Sequence, residues 1–209
     1  MRIGIFGGSF NPIHVGHLVL AETARETLAL DRLVFIPAGQ PPHKKGRDLA
    51  AGRDRLEMAR LATQHHPAFI VSDIELSRPG ASYSIDTVNA LRRPVPQAKF
   101  FLLVGEDMLS VRWKDWAALK RACTVVAAKR PGAKGSRQQG LPAARHARLG
   151  RAAQAGVTWL PMPLLEISST DIRKRAKAGR SIRYLVPSAV ERYIRDHRLY
   201  QAGAKEATS

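Results

Sequence analysis

The chain has 209 residues, 44% hydrophobic and 24% charged, which suits one globular domain and excludes a disordered or a membrane-embedded composition. Its formal charge is +17, with 34 Lys and Arg against 17 Asp and Glu, a balance that first suggests a polyanionic partner: nucleic acid, anionic lipid or a phosphorylated substrate. A single cysteine, Cys123, excludes an intrachain disulfide and a multi-cysteine zinc site, and no apolar run approaches transmembrane length.

Ile3–Phe6 is a short apolar run that ends in Gly7-Gly8, which predicts a buried strand meeting a tight loop. A helix follows from His14 to about Leu28. Leu33–Ile36 is a second buried strand, stopped by Pro37. Residues 40–47 (QPPHKKGR) read as a loop. Arg53–His66 is helical, with Leu56, Met58, Ala59, Leu61 and Ala62 at helix-compatible spacing. Phe69–Leu76 is strand-like, Ser84–Arg92 a short helix and Phe100–Val104 the strongest strand, with Gly105 directly behind it. Lys114–Arg121 predicts a helix and Thr124–Ala128 a strand. Pro131–Gly140 reads as a loop, Ala143–Ala155 as a helix and Val157–Leu160 as the last strand. Thr170–Ala178 is a helix with Gly179 at its stop, and Pro187 to about His197 is another.

Strands that alternate with helices call for a mainly parallel sheet covered on both faces. Right-handed crossovers then give a Rossmann-like, doubly wound α/β fold with a C-terminal helical portion. The expected organisation is one domain over residues 1–200, with an α/β core to about 165 and helices from about 166. Residues 201–209 are expected to form a flexible tail. Glycines and Asn11 interrupt the N-terminal apolar run too early for a secretory signal, so the expected compartment is the cytoplasm.

The charge is uneven. Residues 1–110 carry a net +2 and residues 111–209 a net +15. No acid stands between Trp116 and Leu165, where nine bases run from Lys120 to Arg151. A solvated basic segment accounts for that stretch without a partner.

Two segments carry chemistry. Gly7-Gly8-Ser9-Phe10-Asn11-Pro12-Ile13-His14-Val15-Gly16-His17 follows the first strand and opens the first helix, where α/β sheets place phosphates. Glycines let a phosphate approach the backbone, and the helix start adds N–H groups and partial positive charge. His14 and His17, three apart, share one face of the first turn and can donate to phosphate oxygens. The segment is neither G-x-G-x-x-G nor a P-loop. A plain strand–loop–helix with surface histidines is the alternative, and zinc lacks a Cys or carboxylate nearby. The second segment is Ile167-Ser168-Ser169-Thr170-Asp171-Ile172-Arg173. Ser168 reads as an N-cap with Asp171 as a shortened capping box. The extra hydroxyls and Arg173 on the first turn also suit triphosphate oxygens.

The first segment resembles the signature of the nucleotidylyltransferase superfamily, and I-S-S-T-x-I-R resembles the motif of bacterial nicotinate-mononucleotide adenylyltransferases. Further likenesses run in order over roughly residues 2–200: Pro41-Pro42-His43-Lys44, Ser82-Tyr83-Ser84-Ile85-Asp86-Thr87, Gly105-Glu106-Asp107, Trp113, Lys129-Arg130-Pro131-Gly132 and Tyr184-Leu185-Val186-Pro187. The resemblance implies adenylyl transfer from ATP to nicotinate mononucleotide, giving deamido-NAD and pyrophosphate. It implies ATP contacts at Gly7, Gly8, Ser9, Phe10, His14, His17, Lys44, Gly105, Asp107, Ile167, Ser168, Ser169 and Arg173. His17, His14 and Arg173 are the implied catalytic residues, and Ser9, Tyr83, Ser84 and Trp113 the implied mononucleotide contacts. A magnesium ion held mainly through substrate phosphates is implied as cofactor, with no protein metal site. Asn11 stands where bacterial members often have Asp, and Ser84 where Thr is common.

Trp113 and Trp116 are three apart, and the resemblance assigns Trp113 to the pyridine ring and leaves Trp116 to packing. The competing readings are another acceptor within the superfamily, nicotinamide mononucleotide or pantetheine phosphate, and a basic nucleic-acid-binding protein on a Rossmann-like scaffold. Against the last, the bases are not interleaved with aromatics. No nucleic-acid partner is expected. A monomer and a homo-oligomer are both compatible with the sequence.

Overall fold

The computed structural model describes residues 1–39, 49–111, 113–128, 156–161 and 165–201. Six strands form one sheet: β1 (Arg2–Gly8), β2 (Arg32–Pro37), β3 (Phe69–Val71), β4 (Lys99–Gly105), β5 (Thr124–Ala128) and β6 (Val157–Leu160). Their order is β3-β2-β1-β4-β5-β6. β1 pairs in parallel with β4, β4 with β5 and β5 with β6, in register Ile5↔Leu102, Leu102↔Val125 and Val125↔Val157. That order reverses between β1 and β4, as in a Rossmann-like doubly wound fold. Ile3, Ile5, Phe100–Val104 and Val125–Ala128 are all buried, as expected of parallel strands covered on both faces.

The described helices are α1 (Val15–Thr27), α2 (Gly52–Thr63), α3 (Ser84–Arg92), α4 (Trp116–Ala122), α5 (Ser169–Lys177) and α6 (Ser188–Asp196), with a 3-10 turn at Glu106–Ser110. None is long and apolar enough to cross a membrane. The loop and helix expected over 131–155 and the C-terminal residues from 202 lie outside the described residues.

Four local expectations are revised. Gly7 and Gly8 continue the first strand rather than leaving it. The third strand stops at Val71, not Leu76, because Ser72 Oγ accepts the Ile74 N–H at 3.3 Å and the Asp73 carbonyl accepts the Ser77 N–H at 2.9 Å, turning the chain. The fourth helix starts at Trp116, not Lys114. Asp115, with φ of 48°, caps it through its carboxylate and the Ala118 N–H at 3.0 Å. The 3-10 turn behind β4 had no counterpart in the expected elements.

By compactness the chain divides into two units: residues 1–7, 20–34 and 83–166, and residues 8–19, 35–82 and 167–209. The first unit is built on β1, β4 and β5. Arg2 fixes its edge, donating its N–H to Asp31 Oδ2 at 2.7 Å and its Nε to the Leu28 carbonyl at 2.7 Å. The second is built around Phe10, Ile13, Phe35, Met58, Ile172, Val190 and Ile194, all buried. Its α2 and α6 pack together, and Tyr193 of α6 donates its hydroxyl to Asp54 of α2 at 2.9 Å.

Candidate functional site

The second unit holds the loop that joins β1 to α1. Phe10 has a left-handed backbone, φ 43°, yet its ring is buried. That backbone costs about 1–2 kcal/mol for an L-residue, while burying the ring contributes about 1.5–3 kcal/mol, so burial holds the loop in shape. The ring meets His17 edge-on at 5.1 Å and Phe35 at 5.9 Å. Gly8 is small for a local reason: a Cβ there would press on the Phe10 ring at 3.1 Å. The Asn11–Pro12 peptide is cis.

His14 and His17 are both buried, and their rings lie 3.7 Å apart at 31°. The His14 backbone N–H donates to His17 Nδ1 at 3.2 Å. An accepting Nδ1 leaves the ring proton on Nε2, which makes His17 a neutral hydrogen-bond donor. A Cβ on Gly16 would reach His14 Nδ1 at 3.1 Å, so Gly16 leaves room for that ring. The first N–H of α1 is not open to a phosphate: Val15 donates it to the Leu185 carbonyl at 3.0 Å. That bond gives the Tyr184-Leu185-Val186-Pro187 stretch a structural role.

The start of α5 is tied to the same loop. Ser168 caps it as expected, accepting the Asp171 N–H at 3.1 Å and donating its hydroxyl to Asp171 Oδ2 at 2.7 Å. Ser169 donates to the Pro12 carbonyl at 2.9 Å. Arg173 Nη1 donates to the Asn11 carbonyl at 2.8 Å. Ile167 stands beside Gly16, 3.9 Å from where a Cβ would lie. Gly8, Ser9, Phe10, His14, His17, Ile167, Ser168, Ser169 and Arg173 thus belong to one unit, with the histidine loop and the α5 start joined at Asn11-Pro12. Lys44 lies outside the described residues.

Two further groups in this unit were not singled out from the sequence for a role there. Arg55 is fully buried, and its guanidinium donates to the carbonyls of Ser9 at 3.0 Å, Ala38 at 2.8 Å and Ala50 at 3.0 Å. Burial pulls it below the usual arginine range, and nearby Tyr200 offsets part of that. Tyr200 donates its hydroxyl to Asn11 Oδ1 at 2.8 Å, and the same oxygen accepts the Ala50 N–H at 3.1 Å. Burial pushes the Tyr200 phenol up, against the pull of Arg173 and Arg55, so the hydroxyl stays a donor. A sequence signal for Arg55 existed: it sits on the helix face of Met58 and Ala59. For Tyr200 there was none.

In the first unit Gly7 is the next-to-last residue of β1 and Gly105 closes β4, at the sheet's switch point. A Cβ on Gly7 would meet nothing within 4 Å, so that edge is open. Asp107 follows in the 3-10 turn and is exposed. Tyr83 precedes α3, and Ser84 is its first residue. Lys114 connects this helix start to the tryptophan segment: its Nζ lies 4.4 Å above the Tyr83 ring and 3.2 Å from Asp86 Oδ2. Trp113 is half-buried, donates Nε1 to the Met108 carbonyl at 2.8 Å, and lies 5.6 Å from the Trp116 ring. Tyr83, Ser84 and Trp113 are thereby gathered in one unit.

The profile of the cytidylyltransferase-like family matches residues 5–175. A protein of Geobacter sulfurreducens named probable nicotinate-nucleotide adenylyltransferase is 47% identical over 96% of this chain and 98% of its own length. One of Thermus thermophilus with the same name is 45% identical over 96% and 100%. Among solved structures, the nicotinic acid mononucleotide adenylyltransferase of Plasmodium falciparum, complexed with NaAD, superimposes with a TM-score of 0.74 at 18% identity, covering 95% of this chain and 97% of that one. With near-complete coverage on both sides, the chain belongs to the cytidylyltransferase-like family and, within it, to the nicotinate-nucleotide adenylyltransferases.

Proposed function

We propose that this chain transfers the adenylyl group of ATP to nicotinate mononucleotide, releasing pyrophosphate and deamido-NAD. The mononucleotide's phosphate oxygen attacks the α-phosphorus in line. The bond from that phosphorus to the bridging oxygen breaks, and its electron pair leaves with pyrophosphate. No protein nucleophile is required, so catalysis is positioning and charge stabilisation. The observation that carries the reading is the His14–His17 ring pair, 3.7 Å apart, on a loop whose Asn11 and Pro12 carbonyls accept from Arg173 and Ser169 of the capped α5 start.

In this reading His17 donates from Nε2 to the α/β-phosphate oxygens, and His14 orients the triphosphate. Ser168, Ser169, Arg173 and Lys44 hold the leaving pyrophosphate. Gly7, Gly8, Ser9 and Phe10 let the phosphates approach the backbone, and Ile167 shapes the α5 start beside them. Gly105 and Asp107 take the adenosine ribose. Trp113 offers its indole face to the electron-poor pyridinium, with Tyr83, Ser84 and Ser9 completing the mononucleotide contacts.

Among the described residues no three His, Cys, Asp or Glu gather into a metal-binding group. The Asn11 side-chain oxygen already accepts from Ala50 and Tyr200. Such a donor-rich set suits phosphates that arrive carrying their own magnesium. The ion, held through the phosphates and water, would neutralise charge on the triphosphate. The small-molecule nucleotides are the proposed partners and the cytoplasm the proposed compartment.

The test is pyrophosphate release by the full chain with ATP and magnesium, compared across nicotinate mononucleotide, nicotinamide mononucleotide and pantetheine phosphate. The expected order puts nicotinate mononucleotide first in kcat/KM. A higher value for either other acceptor overturns the assignment. Absence of turnover together with a salt-dependent nucleic-acid gel shift would favour the basic binding protein instead.

A further inference from the structure

Arg55 and Tyr200 have no contact role in the reaction proposed above, yet both are spent on the loop that carries its histidines. A buried guanidinium is normally met by a carboxylate. Arg55 instead donates to three backbone carbonyls: Ser9 in the histidine loop, Ala38 just past β2, and Ala50 just before α2. Each bond is charge-assisted, and charge-assisted bonds are roughly twice as strong as neutral ones. Two residues along the loop from Ser9, Asn11 Oδ1 takes the Tyr200 hydroxyl and the Ala50 N–H. Ala50 therefore holds both ends of the Ser9–Asn11 stretch, through Arg55 on one side and through Asn11 on the other. Arg173 adds a bond to the Asn11 carbonyl.

Between those two anchors stands Phe10, in its left-handed backbone and in contact with His17. A loop in that conformation persists when its surroundings over-determine it. Arg55 and Tyr200 supply that over-determination from opposite parts of the chain, 46 and 189 residues away from their loop partners.

We propose that Arg55 and Tyr200 are positioning residues of the adenylyl transfer. They fix the Ser9–Asn11 backbone so that Phe10 holds the His17 ring in the orientation, and with the Nδ1 acceptor role, that presents Nε2–H to the substrate. The inference rests on the proposed function. It also explains Asn11: the Tyr200 hydroxyl and the Ala50 N–H both need an oxygen to accept them, which an amide supplies as well as a carboxylate does.

The test compares wild type with Tyr200→Phe and Arg55→Lys in the full chain, by steady-state kinetics and by the long-range 1H–15N spectrum of the His17 imidazole. A substrate held by remote groups but misplaced against a loosened loop loses rate more than affinity. Each variant is expected to lose kcat by roughly tenfold or more, with KM for ATP and mononucleotide shifted less than about twofold. The His17 spectrum should change from a protonated Nε2 with an unprotonated Nδ1 toward a tautomer average. Tyr200→Phe removes one oxygen and decides alone if Arg55→Lys fails to fold. Wild-type kcat together with a wild-type His17 spectrum in a folded Tyr200→Phe overturns the proposal. The spectrum needs no turnover, so this failure is distinct from an inactive wild type, which would overturn the reaction itself.

Discussion

His17 is a buried ring held between Phe10, His14 and the His14 N–H, and the proposed reaction uses its Nε2–H as donor. His17→Ala should lower kcat by about 10²–10³, the scale for losing one transition-state donor, with a far smaller change in the denaturation midpoint. Retained turnover in that variant removes the catalytic assignment. Trp113 differs because its two features can be separated. Trp113→Ala should raise KM for the mononucleotide roughly tenfold and leave KM for ATP in place. Trp113→Phe keeps a flat ring but loses the Nε1 bond to Met108; recovery of KM in that variant identifies stacking, and no recovery identifies the hydrogen bond. Candidates of this kind can be picked out in the sequence because each sits in a short motif with its own spacing. The roles of Arg55 and Tyr200 cannot be read there, because they depend on partners far along the chain; the helix face that Arg55 shares with Met58 and Ala59 points to its burial but not to what it binds.

At the level of elements, the α5 start does two things at once. The Ser168 hydroxyl closes a reciprocal pair with Asp171, and the same helix start is proposed to face the triphosphate. Ser168→Ala should cost about 1 kcal/mol of stability, the usual loss for an N-cap, read as a lower denaturant midpoint. Ser168→Asp should recover most of that midpoint, since Asp caps as well as Ser. It should nonetheless raise KM for ATP, because it sets a carboxylate beside phosphates. An unchanged KM would confine Ser168 to capping. Cap, helix and Gly179 stop were readable together, and so were the strands at Ile3, Leu33, Phe100, Thr124 and Val157, since buried parallel strands are near-continuous apolar runs. What the pattern missed lies where side chains override it: the Ser72 turn that ends β3, the Asp115 cap that delays α4, and a 3-10 turn too short to have a period.

For the molecule as a whole, the +17 charge said little about the reaction, since residues 1–110, with the histidine loop, are nearly neutral and most of the acid-free stretch lies outside the described residues. Two ionisable groups that bear on folding are Cys123, which is buried, and Tyr193, which is half-buried. Burial raises the Cys123 thiol from 9.0 to about 11, with Arg92 pulling back. Burial, then Asp54, raises the Tyr193 phenol from 10.0 to about 12. In both, the folded state holds its proton more tightly than the unfolded chain does. Their contribution is complete below pH 9, falls as the unfolded chain begins to lose protons, and is gone by about pH 12. Lysines also discharge in that range and relieve the repulsion of a strongly cationic chain, so the wild-type curve alone mixes opposing effects. The difference between proteins separates them. A Cys123→Ala, Tyr193→Phe double variant should start less stable at pH 8, having lost the Asp54 bond and a buried side chain. From there to pH 11.5 its denaturation midpoint should decline less steeply than that of wild type. Parallel curves would mean that these two groups titrate alike in the folded and unfolded chains, and that the alkaline limit of the fold is set elsewhere.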